Sequence, residues 1–441
     1  MRRAWLLGLG LGAWLGAWSS LAWADEGAAL IEQLALPPVA ATRAVIAALP
    51  QVRAAAAGVA LAQARGQRLE AGTHEWVLKA GSQRRSESAG PQYTEGELAL
   101  ERPIRWAGKA QADRELGQAG VVAGKLGYAD VWHENVRSLL QAWYDWQRAR
   151  SAAQVLAQQA TLAQSQLDVS VRRVKAGDAP RIDQLMAQAE LERAQASEQQ
   201  AGGREQVLRQ GLQKRFSGLL LSDDMAESPP GLTGKASVAA PDNTAAARLQ
   251  LPGDDASWLP RITEDNHEIE LAEAEVAVAR LQAERIRLEA QPDPLLGVRA
   301  GRERGGQENV LGVYLAIPLA GAYRAADQRA ALALLDAAEQ RLLLTRQRVT
   351  ADAQAVVLQA KHNATVSQRL DAVQQAMGDV AQLAVKAYSL GELSLSEALQ
   401  ARRAALEAAL SAQAARWDAR QAISRVLVDA HQLWPADEEG H

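Results

Sequence analysis

The fold turns on the stretch Arg173-Val-Lys-Ala-Gly-Asp-Ala-Pro-Arg-Ile-Asp-Gln-Leu185, which lies between two long helical runs. A second version of it, Lys386-Ala-Tyr-Ser-Leu-Gly-Glu-Leu-Ser-Leu-Ser-Glu-Ala-Leu399, sits far downstream. Gly177 aligns with Gly391, Asp183 with Glu397 and Leu185 with Leu399. A glycine after a long helix, then polar residues, then a new apolar period marks a helix stop followed by a helix start. Two such U-turns at matching places predict two long helical hairpins.

Working outward, Lys109 to Ala176 reads as one helix of roughly 68 residues, about 100 Å at 1.5 Å per residue. Pro180 to Phe216 returns from it. Helix is also expected over Ala41–Ala71 and Glu264–Ala290, and a second long run covers Ala322–Tyr388, with its return over Glu392–Leu433. Each long run follows a change of period from 3.6 to 2. Within 74–104, Trp76, Leu78 and Ala80 share one face, and Leu98 and Leu100 alternate with glutamates. Within 294–317, two alternating segments flank Gly305-Gly306. Both read as β-hairpins with one apolar and one polar face. Pro103 and Pro318 end them.

The two halves align along the mature chain. Arg68-Leu-Glu-Ala matches Arg287-Leu-Glu-Ala at an offset of 219, Pro103 matches Pro318 at 215, and Gly177 matches Gly391 at 214. Near-constant offsets imply an internal duplication. The expected organisation is a signal peptide over 1–24, a first repeat over 25–216, an insert over 217–258, a second repeat over 259–434 and a tail over 435–441. Val366, Leu370, Val373, Met377, Val380, Ala384 and Ala387 repeat in steps of four and three, the heptad of a coiled-coil seam.

Composition agrees with this class and removes others. Aromatic residues are 4% of the chain, net charge is −4, and there is no cysteine. Thiol catalysis, thiolate metal sites, disulfides and a lipidated N-terminal cysteine are therefore excluded, and nothing in the charge calls for nucleic acid. The six histidines are scattered, with no HExxH spacing, and a lone one on such a helix is expected to face solvent. No nucleophile and base are arranged for catalysis, so neither an enzyme nor a cofactor is expected. Arg2-Arg3, the apolar run Ala4–Ala17 and Ala22-Trp-Ala24 form an export signal. No later run is apolar enough for a spanning helix. Four short strands in an exported chain leave open edges, and closure into a membrane barrel by several copies would remove them. Trp76, Tyr93, Trp106, Tyr314 and Tyr323 form a weak aromatic girdle. The competing reading is a soluble periplasmic coiled-coil adaptor or structural spacer.

These features together resemble the TolC-type outer-membrane efflux protein family. The residues that carry the likeness are Tyr388-Ser-Leu-Gly391 with Leu395–Leu410, Arg173-Val-Lys-Ala-Gly177 with Ile182-Asp-Gln-Leu-Met-Ala-Gln-Ala189, the proline strand ends and the duplication. The segments after each strand pair, Pro103-Ile-Arg-Trp-Ala-Gly-Lys109 and Pro318-Leu-Ala-Gly-Ala-Tyr-Arg324, look closest to CzcC-like heavy-metal members. The resemblance implies a mainly α fold in which coiled-coil hairpins form an α-barrel capped by a trimeric transmembrane β-barrel. It implies a homotrimer in outer-membrane lipid with a long periplasmic extension. The expected partners are a periplasmic adaptor (membrane fusion) protein and an inner-membrane pump of RND or ABC type. Type I protein secretion is the alternative transport role. Adaptor docking would fall on Val174, Lys175, Ala176, Gly177, Asp178, Tyr388, Ser389, Leu390, Gly391 and Glu392. Asp168, Asp178 and Asp379 are the acidic candidates for narrowing the tunnel.

Overall fold

The computed structural model describes residues 33–436, except 87, 89, 220, 222–249, 252–253, 255–256 and 320. The expected signal peptide, most of the insert and most of the tail lie outside the described residues. In chain order the elements are α1 (Val39–Ala48), α2 (Pro50–Ala71), β1 (Val77–Ser86), β2 (Gln92–Pro103), α3 (Lys109–Ala176), α4 (Arg181–Arg215), α5 (Trp258–Glu264), α6 (His267–Leu288), β3 (Leu295–Glu303), β4 (Glu308–Ala316), α7 (Ala322–Leu390) and α8 (Leu395–Asp429). The fold is mainly helical with a small antiparallel sheet. It divides into two compact units: Met1–Leu49, His133–Glu264 and Asp352–His441 form the first, and Pro50–Trp132 and Asp265–Ala351 the second.

The first unit holds the aromatic core. Trp143, Tyr144 and Trp146 of α3, Trp258 of α5, Trp417 of α8 and Phe216 are all buried. Buried aromatics must satisfy their polar tips, and here they grip an N-terminal strap. Trp143 donates to Ala35 O at 2.9 Å, Tyr144 to Leu34 O at 2.7 Å, and Arg420 to Gln33 O at 3.0 Å. Burial pushes the Tyr144 phenol up, although Ser424 and Arg420 oppose it.

The expected single helix over 41–71 is broken. Leu49 adopts φ −62°, ψ 138° and Pro50 opens α2, because the residue before proline is pushed out of the helical region. The expected seam on α7 is also displaced. Val373, Met377 and Val380 are exposed at 43%, 36% and 50%, while Ala353, Ala360, Ser367, Ala381 and Tyr388 are buried. Those five fall on a seven-residue repeat one position later than the larger apolar residues. Small side chains line the intrachain seam because they let backbones approach; the valines point elsewhere.

The second unit holds the sheet, in the order β1-β2-β3-β4 with every neighbouring pair antiparallel. The register pairs Leu78 with Leu100, Leu100 with Val298, and Val298 with Val313. Because side chains alternate along a strand, this places Leu78, Leu98, Leu100, Leu296, Val298, Leu311, Val313 and Leu315 on one face. All eight are exposed, from 40% at Leu100 to 83% at Leu311.

Candidate functional site

At the far ends of α3 and α7, within the first unit, the two U-turns have the same construction. Gly177 has φ 80° and Gly391 φ 79°. Gly177 N–H donates to Val174 O at 3.1 Å and Asp178 N–H to Arg173 O at 2.9 Å. Gly391 N–H donates to Tyr388 O at 3.1 Å and Glu392 N–H to Ala387 O at 3.0 Å. Both are Schellman caps with glycine in the left-handed position. The restarts differ. Pro180 precedes α4, whereas Ser394 and Glu397 form a reciprocal capping box on α8, which holds the Glu397 carboxyl below its usual range through the Ser394 hydroxyl and N–H.

Most of the ten turn residues are open to solvent. Lys175, Ala176, Gly177, Asp178, Ser389, Leu390, Gly391 and Glu392 are exposed, and Val174 is half-buried. Tyr388 is the correction. It is 7% exposed and packs with Leu395, Ala398 and Leu399 of α8, with Met186 of α4 against the same cluster. Its ring lies under the Arg173 guanidinium at 4.9 Å. An aromatic ring clamped in this way is not free to present itself to a partner. Ile182 and Leu185, 61% and 55% exposed, add apolar surface beside the first turn that sequence reasoning passed over. Their spacing of three along one helix face was the available signal.

The acidic candidates are not brought together. Asp168 lies exposed on α3 and accepts from Gln164 at 3.0 Å. Asp178 is in the first turn, and Asp379 is exposed on α7. No group of three or more potential metal ligands occurs among the described residues.

The sheet is the second candidate. Its polar face carries ion pairs, Lys79 with Glu101 at 2.5 Å and Arg85 with Glu95 at 3.1 Å. Tyr314 donates to Glu101, and Gln83 to Glu95 at 2.9 Å. Polar groups thus satisfy one another on one face while the apolar face is bare. The strands are 10, 12, 9 and 9 residues long, the length of a tilted membrane-spanning strand. Among the expected aromatic girdle, Trp76, Trp106 and Tyr323 are exposed at 61%, 45% and 80%. They flank the start of β1, the end of β2 and the end of β4, which in this antiparallel order lie at one end of the sheet. Tyr314 points instead to Glu101 on the polar face.

That same end is anchored by a charge network. Lys109 is fully buried and contacts Glu289 and Asp293, each at 3.0 Å. Burial acts to raise the Asp293 carboxyl, but Trp106 N–H, His74 and Lys109 outweigh it and hold it low. Arg285 pairs with Asp113 and Glu289. Matching carbonyls of the two repeats, those of Glu70 and Glu289, are each closed by an arginine, although the strand ends at Pro103 and Pro318 set Lys109, not Arg105, opposite Arg324. Arg105 donates to Glu70 O at 3.1 Å, and Arg324, 219 residues on, donates to Glu289 O at 2.6 Å. Each closes the C-terminal end of the helix preceding its own hairpin. His74 is likewise 219 residues from Asp293, and here the matched positions bond each other at 3.0 Å. His74 and His133 are therefore partnered and largely buried rather than solvent-facing; His133 meets Asp429 at 3.3 Å.

No family model matches the chain, and no curated relative matches it. Solved structures do share its fold. The outer membrane channel CmeC of Campylobacter jejuni superposes with a TM-score of 0.69 at 14% identity, over 93% of this chain and 86% of that one. The outer-membrane channel OprN gives 0.68 at 16% identity, over 92% of each chain. The open state of the MtrE outer membrane channel of Neisseria gonorrhoeae gives 0.62 at 15% identity, over 92% and 91%.

Proposed function

We propose that this chain, whose fold is that of the TolC-type outer-membrane channels, is itself the outer-membrane channel of an efflux assembly. One observation carries the reading: a four-stranded sheet with a bare apolar face and two open edges, β1 and β4. A membrane-embedded sheet has to close, since lipid cannot satisfy edge N–H and C=O groups. Four strands are too few to close around a channel, so copies of the chain supply the rest. Three copies give twelve strands, a homotrimer in outer-membrane lipid. The exposed valines on α7 supply further surface for packing between copies.

On this reading the helices form the periplasmic extension and transport is passive, selected by width and lining charge. The chain is then not an enzyme. A periplasmic adaptor (membrane fusion) protein and an inner-membrane pump, RND-type or ABC-type, complete the assembly. The adaptor docks on the exposed turn residues Val174–Asp178 and Ser389–Glu392, with Ile182 and Leu185 beside them. Heavy-metal cations are the proposed cargo suggested by the segments at Pro103 and Pro318, and type I protein secretion is the alternative. The signal peptide over 1–24 delivers the chain to the periplasm without lipidation.

Purified chain added to a planar lipid bilayer should give discrete conductance steps, and cross-linking in membranes should trap a trimer. A chain that stays soluble without detergent, runs as a monomer and leaves the bilayer silent would be a periplasmic spacer instead. Loss of the gene followed by challenge with metals, dyes and drugs identifies the cargo.

A further inference from the structure

Within the first unit, α7, α8 and the facing part of α3 bound a groove of about 840 Å³, open to solvent. Its lining is mixed: Leu162, Ala381, Val385, Ala405 and Leu406 form an apolar strip, and glutamines, two aspartates and two arginines border it. Gly378 lines it from within the C-terminal third of α7. Glycine is unfavourable inside a helix, and a Cβ added there would meet nothing within 4 Å. No close helix approach therefore requires it; its effect is to keep the groove wide.

One end of the groove is chemically incomplete. Arg402 has a single hydrogen bond, to Gln166 Oε1 at 3.4 Å, and no carboxylate pairs with it among the described residues. Gln166 is itself 8% exposed, and its Nε2 has no partner. Burial pushes the Arg402 guanidinium down, whereas Glu190 holds the adjacent Arg403 up. The opposite end is complete, since Arg416 pairs with Asp371 at 2.8 Å. Asp379 also borders the groove and would repel an anion from its middle. A partly desolvated guanidinium with no counter-ion is poorly stabilised, and a planar oxyanion fits its fork.

We propose that this groove binds a small amphipathic anion, its carboxylate or sulfonate head held by Arg402, which Gln166 supports from beneath, and its alkyl chain laid along the apolar residues of the groove. From Arg402 to Arg416 the helix rises about 21 Å, enough for a medium-length chain. The inference goes beyond the channel reading and does not rest on it, because binding is read on the protein whether or not it conducts.

The test uses the full chain in nanodiscs, titrated by calorimetry with octanesulfonate and, as the cationic counterpart, octyltrimethylammonium. Wild type is expected to bind octanesulfonate at least tenfold more tightly than Arg402→Gln. Gly378→Leu, which puts a side chain into open groove, should abolish binding while melting no lower than wild type. Arg403→Gln, which removes a neighbouring charge paired elsewhere, should bind as wild type does. Equal binding of the cation, unchanged binding in Arg402→Gln or Gly378→Leu, or no binding to wild type because a neighbouring copy covers the groove would each overturn the assignment.

Discussion

Single residues act here through what surrounds them. Gly72 has φ +70°, and a Cβ there would lie 1.6 Å from Arg105 Nη2. Gly72→Ala thus adds strain and displaces the guanidinium from the carbonyls of Leu69 and Glu70. Gly177 has the same kind of φ but open space around it, so Gly177→Ala adds strain alone. The expected losses are about 3 kcal/mol at Gly72 and about 1 kcal/mol at Gly177, compared by denaturant unfolding of the purified proteins. Asp429 makes a pH prediction. Burial acts to raise its carboxyl, but His133, Arg137 and Arg425 outweigh burial and hold it at about 2, against an ordinary 3.8. A depressed carboxyl stabilises the fold above its unfolded pKa and loses that contribution as pH falls through the folded one. The window is therefore from about pH 4 down to about pH 2, and the contribution is about 2 kcal/mol. Asp429→Asn should be less stable at neutral pH and lose little more across that window; equal acid sensitivity of the two proteins would refute the assignment. Neither Gly72's role nor Asp429's was legible in the sequence, because both depend on partners brought in by folding: Arg105 for Gly72, and α3 together with α8 for Asp429.

At the scale of elements, periodicity was legible and contact was not. The change from a period of 3.6 to one of 2, and the glycines at 177 and 391, locate the strands and long helices because they are local backbone properties. The seam of α7 is different. Large apolar residues at Val373, Met377 and Val380 make the more conspicuous heptad, yet Ala381 and Tyr388 one position later are the buried ones. Two faces of one helix both carry a seven-residue repeat, and sequence alone cannot say which faces its own chain. Val380→Asp should leave the thermal stability of a monomer unchanged within about 0.5 kcal/mol, since the site is half exposed. It should break the association of copies, read by light scattering in detergent; intact trimers would mean that this face is not a contact between copies. Tyr388 misled for the same reason, since a turn residue reads as surface until Arg173 and α8 are seen to close over it.

At the scale of the whole molecule, the bare face of the sheet is the feature on which the proposed channel stands or falls. Val313, midway along β4 on that face, is 72% exposed. A lysine facing lipid near the bilayer midplane costs about 2–4 kcal/mol. Val313→Lys is expected to reduce the amount recovered in outer membranes several-fold, measured against Val310→Lys on the polar face of the same strand, which should be recovered like wild type. Fold class could be inferred from pattern, while the partner network at the helical end of the sheet could not, because it joins residues some two hundred positions apart. His74 and Asp293 are the sharpest case. At the offset of 219 they are matched positions of the two halves, and they carry opposite chemistry. Two copies of the first half would set imidazole against imidazole, and two of the second would set carboxylate against carboxylate. The halves have become non-interchangeable, each recognising the other and disfavouring itself. A chain cut in the insert should therefore reassemble from one piece of each kind, and the pair supplies a rule of mating that a perfectly repeated sequence would lack.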